Sequence, residues 1–308
     1  MWPELSIGAL GALALHAMRF RSHRRRTRVA DSMRLPVGPD GIIPGAQSIV
    51  LSGSDTHAVL LIHGFGDTPQ TLRGLATYLH DVHGWSVRAP LLPGHGRTLA
   101  AFDATSGDTW LAAMRQEYDE LCTRYPTVTL VGLSMGGALA TLIASRDADL
   151  PALVLLAPYL TPPGRAERLA PLAGLIGLMV PYLRGGDRTT SIFDPAARER
   201  SLGAGAVSPR RIRDLVATAH DARLAAADVR APTLLLHSRT DYRIPVSLAE
   251  QHACFFTAAP VCEQRWVEGA GHVITVDFGH ERVWAETAGW LRKHAGSARA
   301  EPPALSAS

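Results

Sequence analysis

Five residues, Gly132-Leu133-Ser134-Met135-Gly136, place a serine between two glycines at the end of an apolar, β-prone run, Val128-Thr129-Leu130-Val131. A small-residue stretch with helical character, Gly137-Ala138-Leu139-Ala140-Thr141-Leu142, follows at once. Strand, sharp turn and helix are the context in which a G-x-S-x-G serine is lifted above a sheet as a nucleophile. Glycine is needed on both sides because strand and helix pass too close there for a Cβ. A serine is a weak nucleophile unless a base takes its proton and a third group orients that base.

The chain supplies both partners, in order. Asp241 follows the apolar run Pro232-Thr233-Leu234-Leu235-Leu236, within reach of a strand end. His272 sits in Gly269-Ala270-Gly271-His272-Val273-Ile274, after the strand-like Glu263-Gln264-Arg265-Trp266-Val267-Glu268. The chain has 13 histidines. His237, His252 and His280 lie near His272 in sequence but lack its glycine-rich loop after the last strand. Acyl transfer also needs backbone N–H donors for the developing oxyanion. One donor is expected at Met135, next after the serine. The other is expected at Phe65, in the loop His63-Gly64-Phe65-Gly66 that leaves the apolar run Ala58-Val59-Leu60-Leu61-Ile62.

The order Ser…Asp…His, with these loops, resembles the α/β-hydrolase superfamily, and within it the small bacterial carboxylesterases and monoacylglycerol lipases. The resemblance covers roughly residues 45 to 295. It is carried by His63-Gly64-Phe65-Gly66-Asp67-Thr68-Pro69, Leu92-Pro93-Gly94-His95-Gly96, Gly132-Leu133-Ser134-Met135-Gly136-Gly137, Asp241 with Ile244-Pro245, and Gly271-His272-Val273-Ile274-Thr275-Val276-Asp277. It implies Ser134 as nucleophile, Asp241 as acid, His272 as base, and the Phe65 and Met135 amides as oxyanion donors. The implied reaction is hydrolysis of a carboxylic ester with an aliphatic acyl chain, or of a monoacylglycerol, through an acyl-serine intermediate and without a cofactor. A thioesterase or acyltransferase could use the same triad. His272 and Asp277 also fit the H-x4-D spacing of some acyltransferases, although Asp277 reads more simply as a loop or helix-start residue. An inactive hydrolase fold that serves as a binding protein is a rival of another class, and the presence of all three triad residues argues against it.

Positioning these loops requires a sheet. Strands are expected near 48–51, 58–62, 86–89, 128–131, 152–156, 233–237 and 263–268, alternating with helical stretches. That alternation predicts a mostly parallel sheet with helices on both faces. Between Pro158 and the strand at 233 lie about 75 residues, far more than a crossover needs. This insertion, 159–230, reads as a helical cap. Its apolar run Leu169, Leu172, Leu175, Ile176, Leu178, Met179 and Val180 could line an acyl site or pack the cap onto the core. The core is then 48–158 together with 231–295.

The net charge is +3 over 308 residues. Six arginines fall within residues 1–28, against Glu4, so the remainder is slightly acidic and gives no ground for nucleic-acid binding. Residues 1–28 read as an arm, an apolar run Leu5–Met18 followed by basic residues. It is shorter than the roughly 20 residues of a full span. The placement of its arginines suggests contact with the cytoplasmic face of the inner membrane, as a short anchor or an interfacial helix; the alternative is a cytoplasmic protein. Residues 29–47 read as a linker and 296–308 as a disordered tail. Three cysteines, Cys122, Cys254 and Cys262, show no metal-ligand spacing and are expected as free thiols. No metal is expected, and the oligomeric state is not legible.

Overall fold

The apolar runs are buried on both faces, which is what a central parallel strand requires. In a computed structural model of the protein, residues 16, 35–184, 188–203 and 205–295 are described. The arm, apart from His16, residues 29–34 of the linker and the tail 296–308 lie outside the described residues. The strands are β1 (Ile49–Leu51), β2 (His57–Ile62), β3 (Ser86–Ala89), β4 (Thr127–Leu133), β5 (Leu153–Leu156), β6 (Leu183–Arg184), β7 (Ala206–Val207), β8 (Thr233–Ser238) and β9 (Cys262–Val267). Seven of them form one sheet in the order β1-β3-β2-β4-β5-β8-β9, parallel except for β1 against β3. All seven expected strands are present, with ends displaced by at most two residues. The short β6–β7 ladder, within the insertion, was not expected.

Alternation along each strand divides the core in two. Ala58, Leu60 and Ile62 of β2, with Val128 and Leu130 of β4, face a cluster that includes Trp110, Met114, Leu139 and Ile143 from the helices Gly107–Arg124 and Met135–Ala144. Val59 and Leu61, with Val131 and Leu133, face the opposite cluster. There Leu75, Leu79, Val283 and Leu291 come from the helices Arg73–His83 and His280–His294. The result is an α/β-hydrolase fold with helices on both faces. The parallel strands all deliver their C-terminal ends to one edge, so the loops after β2, β4, β8 and β9 meet there.

The insertion between β5 and β8 is helical. It holds the helices Gly164–Leu169, Ala173–Met179, Pro195–Arg200 and Pro209–Ala225. The last of these buries Val216, Ala219 and Ala222 against the core. At its start, the Ser208 hydroxyl donates to Asp103 Oδ1 at 2.6 Å. The segment 164–179 behaves differently. Leu172, Leu175 and Met179 are 50, 63 and 71 % exposed, and only Ala170 and Ala173 of the run are buried. Among the described residues no helix is long and apolar enough to cross a membrane. The three cysteines form no disulfide.

The tightest crossing in the fold sets the position of the helix Met135–Ala144. A Cβ on Gly136 would collide with the Ile62 carbonyl oxygen, and one on Gly132 with the Gly136 carbonyl oxygen. Gly136→Ala should therefore push the helix off the ends of β2 and β4. The expected outcome is a drop in the thermal midpoint that matches an overpacking cost of about 1–3 kcal/mol, with Ser134 displaced. A midpoint equal to wild type would contradict this crossing.

Candidate active site

Ser134 occupies the turn between β4 and its helix with φ +55° and ψ −117°. This conformation costs a non-glycine residue of order 1–3 kcal/mol and persists only where the surroundings fix it. Here the fixing is explicit. Ser134 N–H donates to Leu156 O at 2.9 Å, at the end of β5. Its carbonyl accepts from Gly137 N at 2.9 Å and from Tyr159 N at 3.0 Å. Ala157 beside it is the other described non-glycine residue with positive φ, +42°, and its N–H donates to Leu236 O at 2.7 Å. The Ser134 turn is thus held by backbone bonds to the end of β5 and the residues after it, which β8 fixes in turn through Ala157.

Asp241 and His272 arrive from the loops after β8 and β9. His272 Nε2 lies 2.8 Å from Ser134 Oγ, and Nδ1 lies 2.7 Å from Asp241 Oδ2. Asp241 is 5 % exposed and His272 8 %. The other Asp241 oxygen accepts from Arg243 N at 2.6 Å and Ile244 N at 3.0 Å. Burial alone would raise the Asp241 carboxyl. The adjacent His272 and the two backbone donors outweigh it, and hold the group below the usual carboxylate range. An ionised Asp241 accepts Nδ1–H and leaves Nε2 free to take the serine proton. The hydroxyls of Ser238 and Thr240 both donate to Ala270 O, tying the acid loop to the histidine loop.

Phe65 and Met135 complete the set. Gly64 lies against Ser134, where an added Cβ would come within 3.3 Å of the serine Cβ, so the loop after β2 can close on Ser134. Among the described residues neither the Phe65 nor the Met135 N–H is spent on a protein acceptor. The loop is held from behind by His63, which is fully buried. Its Nδ1 donates to Gly64 O at 2.9 Å and its Nε2 accepts Leu92 N–H at 3.1 Å. Burial lowers the His63 pKa to about 4, so the ring stays neutral and keeps that tautomer. His95, from the Leu92–Gly96 loop, packs edge-on to His63, Phe65, Phe102 and Trp110. Sequence inspection did not find the role of His63; the signal available was the His-Gly pair immediately after a buried strand.

Ser134, His272 and Phe65 border a cavity of about 520 Å³, with Asp241 and Met135 behind its wall. Phe65, Leu133, Leu183, Val207, Ile212 and Leu215 give it apolar wall, and Tyr159, Tyr242 and Arg243 polar edge. Leu172, Leu175, Ile176 and Met179, expected as possible acyl-site wall, are absent from the lining. The apolar wall comes instead from the β6–β7 ladder and the helix Pro209–Ala225. Asp277 also departs from the H-x4-D reading. Its carboxylate accepts from Gly271 N, not from the His272 ring, whose Nδ1 is already taken by Asp241.

The family model described as Serine aminopeptidase, S33 (Hydrolase_4) matches residues 53–278. A thermostable monoacylglycerol lipase of Bacillus sp. (strain H-257) is 27% identical over 260 residues, covering 80% of this chain and 98% of the relative. A carboxylesterase of Bacillus subtilis (strain 168) is 24% identical over 239 residues, with 77% and 92% covered. The crystal structure of the Paleococcus ferrophilus monoacylglycerol lipase superposes with a TM-score of 0.68 at 22% identity, covering 80% of this chain and 98% of that one.

Four buried histidines make the fold sensitive to acid. Burial lowers His57, His63 and His252 to about 4 and His237 to about 3. Unfolded, each takes a proton near the ordinary value of 6.5. Between those values the unfolded chain binds more protons than the folded one, so stability falls as pH falls. The denaturant midpoint should decline steadily from pH 7 towards pH 4. A midpoint flat over that range would show these rings to be solvated. The match of the S33 model over most of the chain, with the sheet order and the Ser, Asp and His loops described above, establishes that the chain belongs to the Serine aminopeptidase, S33 (Hydrolase_4) family of α/β-hydrolases.

Proposed function

We propose that the protein is a serine hydrolase that cleaves carboxylic esters with an aliphatic acyl chain, of the carboxylesterase or monoacylglycerol lipase type. The observation that carries this reading is the continuous relay Asp241–His272–Ser134, with contacts of 2.7 and 2.8 Å, opening onto a largely apolar cavity. The kinship with a monoacylglycerol lipase and a carboxylesterase supports it.

In the first step Ser134 Oγ attacks the ester carbonyl carbon while His272 Nε2 takes its proton. The carbonyl π electrons move to oxygen, and that oxyanion is met by the Phe65 and Met135 N–H groups. Collapse of the tetrahedral intermediate breaks the bond to the alkoxy oxygen, which leaves as alcohol with the proton from His272. Water then gives a proton to His272 and attacks the acyl-serine. A second collapse releases the carboxylic acid and returns the proton to Ser134. Asp241 remains ionised throughout and stabilises the imidazolium. The acyl chain lies along Val207, Ile212 and Leu215, where each CH₂ removed from water contributes about 0.8 kcal/mol. Membrane association through residues 1–28 remains a separate proposal, tested by whether enzyme lacking them leaves the membrane fraction.

Ser134→Ala should lower kcat by roughly 10⁴-fold or more and abolish labelling by a fluorophosphonate, with folding intact. Asp241→Asn should cost about 10⁴ in kcat by favouring the wrong tautomer of His272. Wild-type hydrolysis of p-nitrophenyl esters by pure Ser134→Ala protein would overturn the assignment. With p-nitrophenyl esters and monoacylglycerols of graded length, Ile212→Ala and Leu215→Ala should shift chain-length preference severalfold. An unchanged profile in both would place the acyl chain elsewhere.

A further inference from the structure

Asp277 is fully buried, yet it makes no ion pair among the described residues. It is satisfied by four backbone N–H groups. Oδ2 accepts from Gly271 at 2.7 Å and from Phe193 at 2.7 Å. Oδ1 accepts from Asp194 at 2.8 Å and from Phe278 at 2.9 Å. Two donors, Phe193 and Asp194, belong to the insertion. Gly271 directly precedes His272.

The same strap holds the other side of the histidine. Val273 N–H donates to Ser191 O at 3.0 Å. The residues on both sides of His272 are therefore bonded to one strap, Ser191–Asp194, directly at Val273 and through Asp277 at Gly271. The packing leaves no slack: a Cβ on Gly271 would stand 2.7 Å from Ser191 O and 3.1 Å from Asp277 Oδ2. A third tie runs to the acid loop, where Arg243 Nε donates to Ser191 Oγ at 2.8 Å. Ser191 and Ile192 also line the cavity next to His272.

We propose that Asp277 is a positioning residue that makes the cap strap Ser191–Asp194 and the His272 loop one mechanical unit, so that the imidazole is aligned on Ser134 only when the strap is seated. This rests on the role of Ser134, His272 and Asp241 proposed above. Asp241 sets the tautomer and rotation of the ring. Asp277 sets where the backbone holds it. Because Ile192 is wall and strap at once, an acyl group pressing on that wall acts on His272 through the clamp.

Asp277→Asn keeps the shape but turns one acceptor oxygen into a donor, which must face two N–H groups. With p-nitrophenyl acetate, kcat should fall roughly 10- to 100-fold, as for a base moved by a fraction of an ångström to an ångström. KM should stay within about threefold, since the pocket remains. The fluorophosphonate inactivation rate should fall by the same factor as kcat. The low-field proton resonance of the His272–Asp241 hydrogen bond should broaden or vanish, a change that loss of stability alone would not give. Folded Asp277→Asn with wild-type kcat, inactivation rate and proton resonance would overturn the proposal. Hydrogen exchange in the wild-type enzyme decides independently of whether the variant folds. The amides of Phe193, Asp194 and Gly271 should exchange slowly and with a common rate, and slow together when Ser134 is labelled. Fast exchange at Phe193 and Asp194 beside a protected Gly271 would equally overturn it. Ser134→Ala separates the two readings: an active Ser134→Ala enzyme removes the proposed function, whereas an inactive one with an unaffected Asp277→Asn removes only the clamp.

Discussion

The structure depends on one steric constraint, the near-contact of the helix Met135–Ala144 with the ends of β2 and β4. Without side chains at Gly132 and Gly136 the helix starts directly against Ile62 and His63 carbonyls. That closeness forces Ser134 into its positive-φ turn and points its hydroxyl out of the sheet edge. It also puts the Met135 N–H, at the start of the helix and unused by it, beside the loop that carries Phe65. The backbone bonds to Leu156 and Tyr159 hold this strained turn, so the cost is met by the β-sheet core around it.

Around that point the site is built from backbone more than from side chains. The loops after β8 and β9 are stitched by Ser238 and Thr240 to Ala270, and Asp241 is held by the N–H groups of Arg243 and Ile244. A carboxylate fixed by N–H donors keeps its charge while buried. Three buried histidines follow a different rule. His63 and the His237–His252 pair, whose ring nitrogens lie 3.1 Å apart, are kept neutral by burial, and act as hydrogen-bonding spacers. The same shell that orders the site therefore gives it an acid limit.

The cap divides its two jobs between segments. The helix Pro209–Ala225 and the β6–β7 ladder face the serine and supply Val207, Ile212 and Leu215 to the cavity. The segment 164–179 turns its leucines outward. Composition alone made the leucine-rich segment the natural wall, yet the wall is made by a stretch whose mean polarity is higher. What counts is the one face a helix presents, and Ile212 and Leu215 are three residues apart on such a face.

The sequence by itself determined the strands, the order of the loops, and the serine, acid and histidine that those loops bring together at the sheet edge. Continuous apolar runs bounded by glycine and proline can be buried only as central strands here, and a glycine-flanked serine between strand and helix has few other uses. Local chemistry was sufficient because each signal lies within a few residues. Tertiary structure decided what depends on distant partners. The apolar run 169–180 could have faced inward or outward, and nothing within it says which neighbour is absent. Asp277 read as a loop residue because its donors at Phe193 and Asp194 are more than 80 positions away. Ala157, with its positive φ, carries no sequence mark at all; its conformation is imposed by the ends of β5 and β8. Spacing along the chain encodes which groups are available, but only the closing of the sheet and the seating of the insertion bring the groups that hold them into contact.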